Sequence, residues 1–106
     1  KAVSGLRRPQ ASLIMQLRSG HVPLNAYLNR IGATTSQYCD HCPGIPEDVH
    51  HFVLQCSKYD QQRFNLRLKL GRTASDLSAL LTTEVKSLLT YVHQTRRFAT
   101  THGEDL

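Results

Sequence analysis

Four residues constrain this chain more than all the others: Cys39, Cys42, His51 and Cys56. They stand as C-x2-C-x8-H-x4-C inside 18 residues, and all three cysteines of the chain fall in that window. A Cys-x-x-Cys pair on a tight turn presents two thiolates about one tetrahedral edge apart, and a following His-x4-Cys pair completes the tetrahedron that Zn²⁺ prefers. An odd number of thiols does not close into a disulfide framework, whereas a Cys3His set uses every one. Four protein ligands leave no position for water, so such a metal holds structure and activates no nucleophile. One structural zinc ion is therefore expected.

The flanking residues suit this reading. Asp40-His41 and Pro43-Gly44 are turn formers around the first pair. The second pair lies in a stretch with helical period, Val49, Phe52, Val53 and Cys56. His51 is the favoured histidine because His50 falls nearer the outer side of that short helix; His50 and His41 remain as alternatives. A redox Cys-x-x-Cys pair is the competing use of Cys39 and Cys42, but no βαβ pattern surrounds them.

At 106 residues the chain is expected to form one small domain or a piece of something larger. A core of this size is marginal, and a metal staple is physically useful to it. No apolar run approaches membrane-spanning length, and no signal-peptide pattern is present. Thiols in a zinc pattern suit a reducing compartment, which sets the expectation of an intracellular protein, nuclear or cytoplasmic, with a secreted fragment as the lesser alternative. The first residue is Lys1 rather than Met, as expected of a processed or excised piece.

The net charge of +5 is unevenly spread. Residues 1–37 hold Lys1, Arg7, Arg8, Arg18 and Arg30 with no acid, and residues 57–72 hold Lys58, Arg63, Arg67, Lys69 and Arg72 against Asp60 alone. The segment 38–56 carries Asp40, Glu47 and Asp48. Two basic blocks beside a zinc site suit a polyanionic partner. Three thiolates on Zn²⁺ add about one negative charge, which pushes the phosphate-binding surface away from the metal. Expected phosphate contacts are Arg18, Arg30, Lys58, Arg63, Arg67 and Lys69, led by Arg63 and Arg67 as neighbours one helical turn apart. Of the aromatics, Tyr38 beside Cys39 is the expected exposed stacking platform; Tyr27 lies on an apolar stripe, and Phe64 is a lesser option.

Helical punctuation frames the rest. A basic leader, residues 1–8, precedes a helical hairpin over 9–32. Pro9 opens its first helix, which carries Leu13, Ile14 and Leu17 and is closed by Gly20. Pro23 opens the second, with Leu24, Tyr27, Leu28 and Ile31 on one face and Gly32 at its end. Residues 57–70 fit either period: Phe64, Leu66, Leu68 and Leu70 alternate as in a strand, while Tyr59, Arg63, Leu66 and Leu70 form a helical stripe. Helix is preferred, because no partner strand is visible. Thr73 and Asp76 form a capping-box pattern opening one long helix over 75–99, whose apolar face runs from Leu77 to Val92 and which Arg96 and Arg97 complement at its C-terminal end. Residues 100–106 form a tail. The expected fold is all-α, a small domain of four to five helices around one Cys3His zinc site.

Residues 8–70 also resemble a known family. The runs Arg8-Pro9-Gln10-Ala11-Ser12-Leu13 and Gln16 to Ile31, then Cys39-Asp40-His41-Cys42, Glu47, His51-Phe52-Val53-Leu54, Cys56, Tyr59 and Arg63, are similar to the CCHC zinc-knuckle-like region after the ribonuclease H domain in fungal-type non-LTR (LINE-like) retrotransposon polyproteins. The family often has an acid where His50 stands, which again favours His51. The spacer between the second Cys and the His is longer than in retroviral nucleocapsid knuckles, so that finger's base-stacking mode does not carry over. The resemblance implies a non-catalytic module that handles RNA or target DNA during target-primed reverse transcription, with reverse transcriptase and ribonuclease H domains upstream as partners. The alternative is a protein-docking or domesticated, effector-like module, docking or self-associating through residues 77–92. An enzyme is not expected. The acids are scattered, no two-metal carboxylate cluster is visible, and His21 is a better cap or core contact than a base.

Overall fold

The computed structural model describes residues 5–99, and within them the chain is helical, with one isolated antiparallel bridge, Tyr38 to Pro46, in place of a sheet. Most of the leader and all of the tail expected at 100–106 lie outside the described residues. Helix α1 spans Arg8–Ser19; Pro9 occupies its first turn, and Gly20 ends it at φ 81°, a left-handed conformation that favours glycine. Its buried side chains are the expected Leu13, Ile14 and Leu17.

Helix α2 is only Asn25–Arg30. Leu24 is buried as its N-cap, but Tyr27 and Leu28 are only partly buried, and Ile31 is 55% exposed. The expected four-residue seam therefore stops short. The chain turns out of the helix at Ile31, and its carbonyl partners there serve a closing turn, Gly32 N–H to Asn29 and Ala33 N–H to Leu28.

After the cysteine loop and the histidine turn, a 3₁₀ turn Ser57–Tyr59 leads into α3, Asp60–Leu70. The helical period wins over the strand period here: Tyr59, Arg63 and Leu66 are buried and Leu70 partly so, while Phe64 and Leu68 face solvent. A 3₁₀ turn Gly71–Ser75 follows.

The single long helix expected over 75–99 is two. Asp76 caps α4, Leu77–Leu80, by accepting from the Ala79 N–H; α5 starts afresh at Val85 and runs to Thr95. The amides of Thr82, Thr83 and Glu84 all converge on the Ala79 carbonyl, and the Thr82 and Thr83 hydroxyls donate to the Ser78 and Ala79 carbonyls. The Thr82 hydroxyl thus takes the Ser78 carbonyl that the Thr82 N–H would use in a continuing helix.

The core joins α1, the histidine turn and α5. Phe52, fully buried, sits at its centre with Tyr59, Tyr91 and Phe98 rings 5.4, 5.8 and 5.5 Å away. α3 packs on α5 over this cluster. Among the described residues no helix is long and apolar enough to cross a membrane.

Candidate metal centre

The first two ligand positions lie on a tight loop. The Cys39 N–H donates to the Ile45 carbonyl (2.8 Å), the Ile45 N–H to the Cys42 carbonyl (3.2 Å), and the Glu47 N–H to the Gln37 carbonyl (2.9 Å). Gly44 makes the reversal at φ 81°. The loop turns Cys39 and Cys42 toward the same point.

The other two positions depend on an unusual turn. Asp48 opens it, its carboxylate accepting from the His51 N–H at 2.8 Å. The backbone then widens into a π-helical turn, His51–Gln55, closed by Cys56 N–H to the His51 carbonyl at 2.8 Å. An α-helix advances about 100° per residue, so positions five apart would point about 140° from each other. The wider turn removes most of that divergence and lets an H-x4-C pair serve one site. An ordinary short helix was expected here; the wider turn accommodates the ligand spacing.

The resulting cluster is tight. One ligand atom from each of Cys39, Cys42, His51 and Cys56 can be chosen so that all lie within 4.8 Å of one another. Cys56 Sγ is 3.8 Å from Cys39 Sγ and 3.9 Å from Cys42 Sγ. A tetrahedron of metal–sulfur bonds about 2.3 Å long has edges of about 3.8 Å, so these separations suit thiolates around one cation and are far too long for a disulfide. Both ring nitrogens of His51 are buried without a hydrogen-bond partner in the protein. An orphaned buried polar atom costs about 1–3 kcal/mol, a penalty that a metal bond removes for the ligating nitrogen. His41 and His50 are exposed and outside the cluster.

The thiols are poised in opposite senses. Burial pushes the Cys56 thiol up to about 12, and the neighbouring Cys39 adds to that, against a hydrogen bond from the Lys58 backbone. At Cys42 burial also pushes upward, but hydrogen bonds from the Ser57 backbone and hydroxyl and from the other thiols outweigh it, leaving this thiol below its ordinary range. A cation entering here must displace protons, so its affinity falls with falling pH.

The structure separates the expected phosphate contacts. Arg67, Lys58 and Lys69 are exposed, as are Arg18, Arg30 and Tyr38. Arg18 also ties α1 to the end of α4 through Nε to the Leu81 carbonyl (2.7 Å), and Arg30 lies over the Tyr27 ring. Arg63, expected on the surface, is buried instead. It is 5% exposed, and its guanidinium donates to the Val53 and Phe52 carbonyls, the Tyr91 hydroxyl and Asp60. No face of it is left for a phosphate, because Arg63 falls on the same stripe that buries Tyr59 and Leu66. His21 is exposed and stacks on Tyr27 at 5.1 Å.

Two further features escaped the sequence. The apolar face over 77–92, the docking surface of the alternative reading, is largely spent inside the domain: Leu80, Val85, Leu88, Leu89 and Val92 are all buried. Glu47 is a buried latch. Its carboxylate accepts from Arg97 Nε (2.9 Å) and Nη2 (2.8 Å) and from the Asn25 N–H (2.8 Å), while its carbonyl accepts from the Ala26 N–H (3.0 Å). It joins the cysteine loop to the start of α2 and to the chain after α5. The family resemblance included Glu47 but gave it no role, and Arg97 lies 50 residues away.

No protein-family model, curated protein or solved structure matches this chain.

Proposed function

We propose that this is a zinc-stapled, non-catalytic module that binds RNA or DNA, and that it serves a non-LTR retrotransposon reverse transcriptase of the kind its cysteine segment resembles. Zinc is favoured by the donor set: three thiolates and one imidazole at tetrahedral edge lengths suit a soft, geometrically undemanding cation, and four protein ligands close the site. The cation's work is then structural.

The nucleic-acid reading rests on one observation. Four basic residues around α3, Lys58, Arg67, Lys69 and Arg72, stay in solvent, while Asp60, the single acid of that block, is paired with the buried Arg63 at 3.0 Å. A surface of fixed positive charge whose one acid is already ion-paired attracts a phosphate backbone. Zinc-loaded protein titrated with labelled structured RNA and with duplex DNA at two salt concentrations tests it. Binding should weaken steeply with salt, and Arg67→Ala with Lys69→Ala should reduce affinity and flatten the slope by about two phosphate contacts while leaving the fold intact. Absence of binding at low salt would contradict the reading.

A second reading has its own observation. Phe64 and Leu68, 48% and 71% exposed, lie one turn apart on the outer face of α3. A protein docked there would bind with little salt dependence, which separates the two readings.

A further inference from the structure

The buried Arg63 has a role that its charge alone does not suggest. Every helix end leaves carbonyls without intrahelical partners, and the π-helical turn holds Phe52 and Val53 inside the core, where water cannot supply the missing donors. Two of its carbonyls, Phe52 and Val53, are met by side chains. Arg63 Nε donates to Val53 at 3.0 Å and Arg63 Nη2 approaches Phe52 at 3.5 Å. The Tyr91 hydroxyl donates to the same Phe52 carbonyl at 2.7 Å and accepts from Arg63 Nη2 at 3.1 Å. Asp60 holds the remaining end of the guanidinium through Nη1 at 3.0 Å. Arg63 and Tyr91 come from α3 and α5, so both helices are fastened to the one turn that carries His51 and Cys56.

We propose that Arg63, supported by Tyr91, is the positioning residue of the metal centre: it holds the π-helical turn in the widened form that brings His51 and Cys56 to one cation. The proposal rests on the reading of the Cys3His cluster as a metal site. The turn is wider than the backbone prefers and narrows when the Arg63 and Tyr91 donors to its carbonyls are withdrawn. Narrowing swings the His51 imidazole away from the thiolates. Arginine suits the task because its planar fork reaches two adjacent carbonyls and a hydroxyl at once, which a lysine ammonium does not match geometrically. Residues behind metal ligands commonly govern affinity in this way, and their loss costs about 10–100-fold.

The test uses Co²⁺ as a spectroscopic stand-in, with affinity measured by chelator competition for the whole chain and for Arg63→Met, Arg63→Lys, Tyr91→Phe and Leu88→Ala. Leu88 is fully buried on α5 and has no part in the carbonyl network, so its variant reports general destabilisation. The wild-type protein should bind one Co²⁺ with the absorption of a tetrahedral thiolate site. Arg63→Met should weaken binding about 10–100-fold and alter that absorption, Arg63→Lys should recover part of the loss, and Tyr91→Phe should weaken binding severalfold. Leu88→Ala should leave the absorption unchanged. If Arg63→Met does not fold, Tyr91→Phe, a loss of one oxygen, decides the matter by the same spectrum. An unaltered spectrum in the Arg63 and Tyr91 variants, with affinity losses no larger than that of Leu88→Ala, would overturn the proposal and leave the metal site standing. Failure of the wild-type protein to bind Co²⁺ would overturn the metal reading itself.

Discussion

Removing the Arg97 side of the Glu47 latch should cost more than any surface ion pair would. The Glu47 side chain is 8% exposed and that of Arg97 is 25% exposed, with two charge-assisted hydrogen bonds between them. Stripping one partner from a fully buried pair costs about 3–5 kcal/mol, because the survivor remains charged and desolvated. Here a quarter of the arginine is still wet and the carboxylate keeps the Asn25 N–H, so the expected loss is lower, about 2–3 kcal/mol. In a domain of this size that lowers the melting temperature by roughly 10–20 °C. Methionine is the informative replacement, since it keeps an aliphatic stem beside the Phe98 ring over which Arg97 lies. Urea melts of Arg97→Met, Glu47→Gln and the double variant, all metal-loaded, complete a cycle whose coupling should be about 2 kcal/mol. Coupling below about 0.5 kcal/mol would mean that the loss in the single variants comes from packing and not from the ion pair.

Two other perturbations probe the surrounding fold. Asp76→Ala should cost about 1 kcal/mol, because the α4 cap accepts from the Ala79 N–H, and Asp76→Asn should restore most of it; equal melts for all three chains would remove Asp76 as the cap. Raising the pH should unfold the domain from about 10 upward. Burial pushes Tyr59 up to about 12 and Tyr91 higher than its ordinary value, in the latter case against the nearby Arg63. The unfolded chain then releases these protons first, so stability is fully present below the unfolded value and drains away as the pH climbs toward the folded one. Tyrosinate absorbance should show Tyr59 and Tyr91 ionising only as the protein unfolds. Ionisation of Tyr59 and Tyr91 in a chain that stays folded would contradict this.

The metal centre was legible because metal ligation is written as spacing. Three thiols and a histidine at fixed intervals leave few alternatives, and the structure brings those four together while leaving His41 and His50 outside. The helix over 57–70 was legible for the same kind of reason, through the stripe Tyr59, Arg63, Leu66 and Leu70. That stripe also held the information that Arg63 points inward, yet charge suggested a surface role. Its partners, two carbonyls of a π-helical turn and a hydroxyl 28 residues away, have no local signature. The break between α4 and α5 was hidden because the apolar period continues through it from Leu80 and Leu81 to Val85 and Leu88. Only Thr82 and Thr83, whose hydroxyls can compete for helix carbonyls, marked the place. Glu47 and Arg97 meet through tertiary packing alone.

We propose that one zinc ion holds this domain together. Binding of structural zinc contributes about 10–16 kcal/mol, comparable with the whole stability of a small domain, so the ion and the fold should be lost together. Native mass spectrometry of the purified protein, paired with circular dichroism before and after a strong chelator, measures both. One zinc per chain, with collapse of the cooperative melt on chelation and its return when zinc is restored, is the predicted result. A chain that carries no zinc after refolding with it, or that melts at the same temperature with and without chelator, would contradict the account.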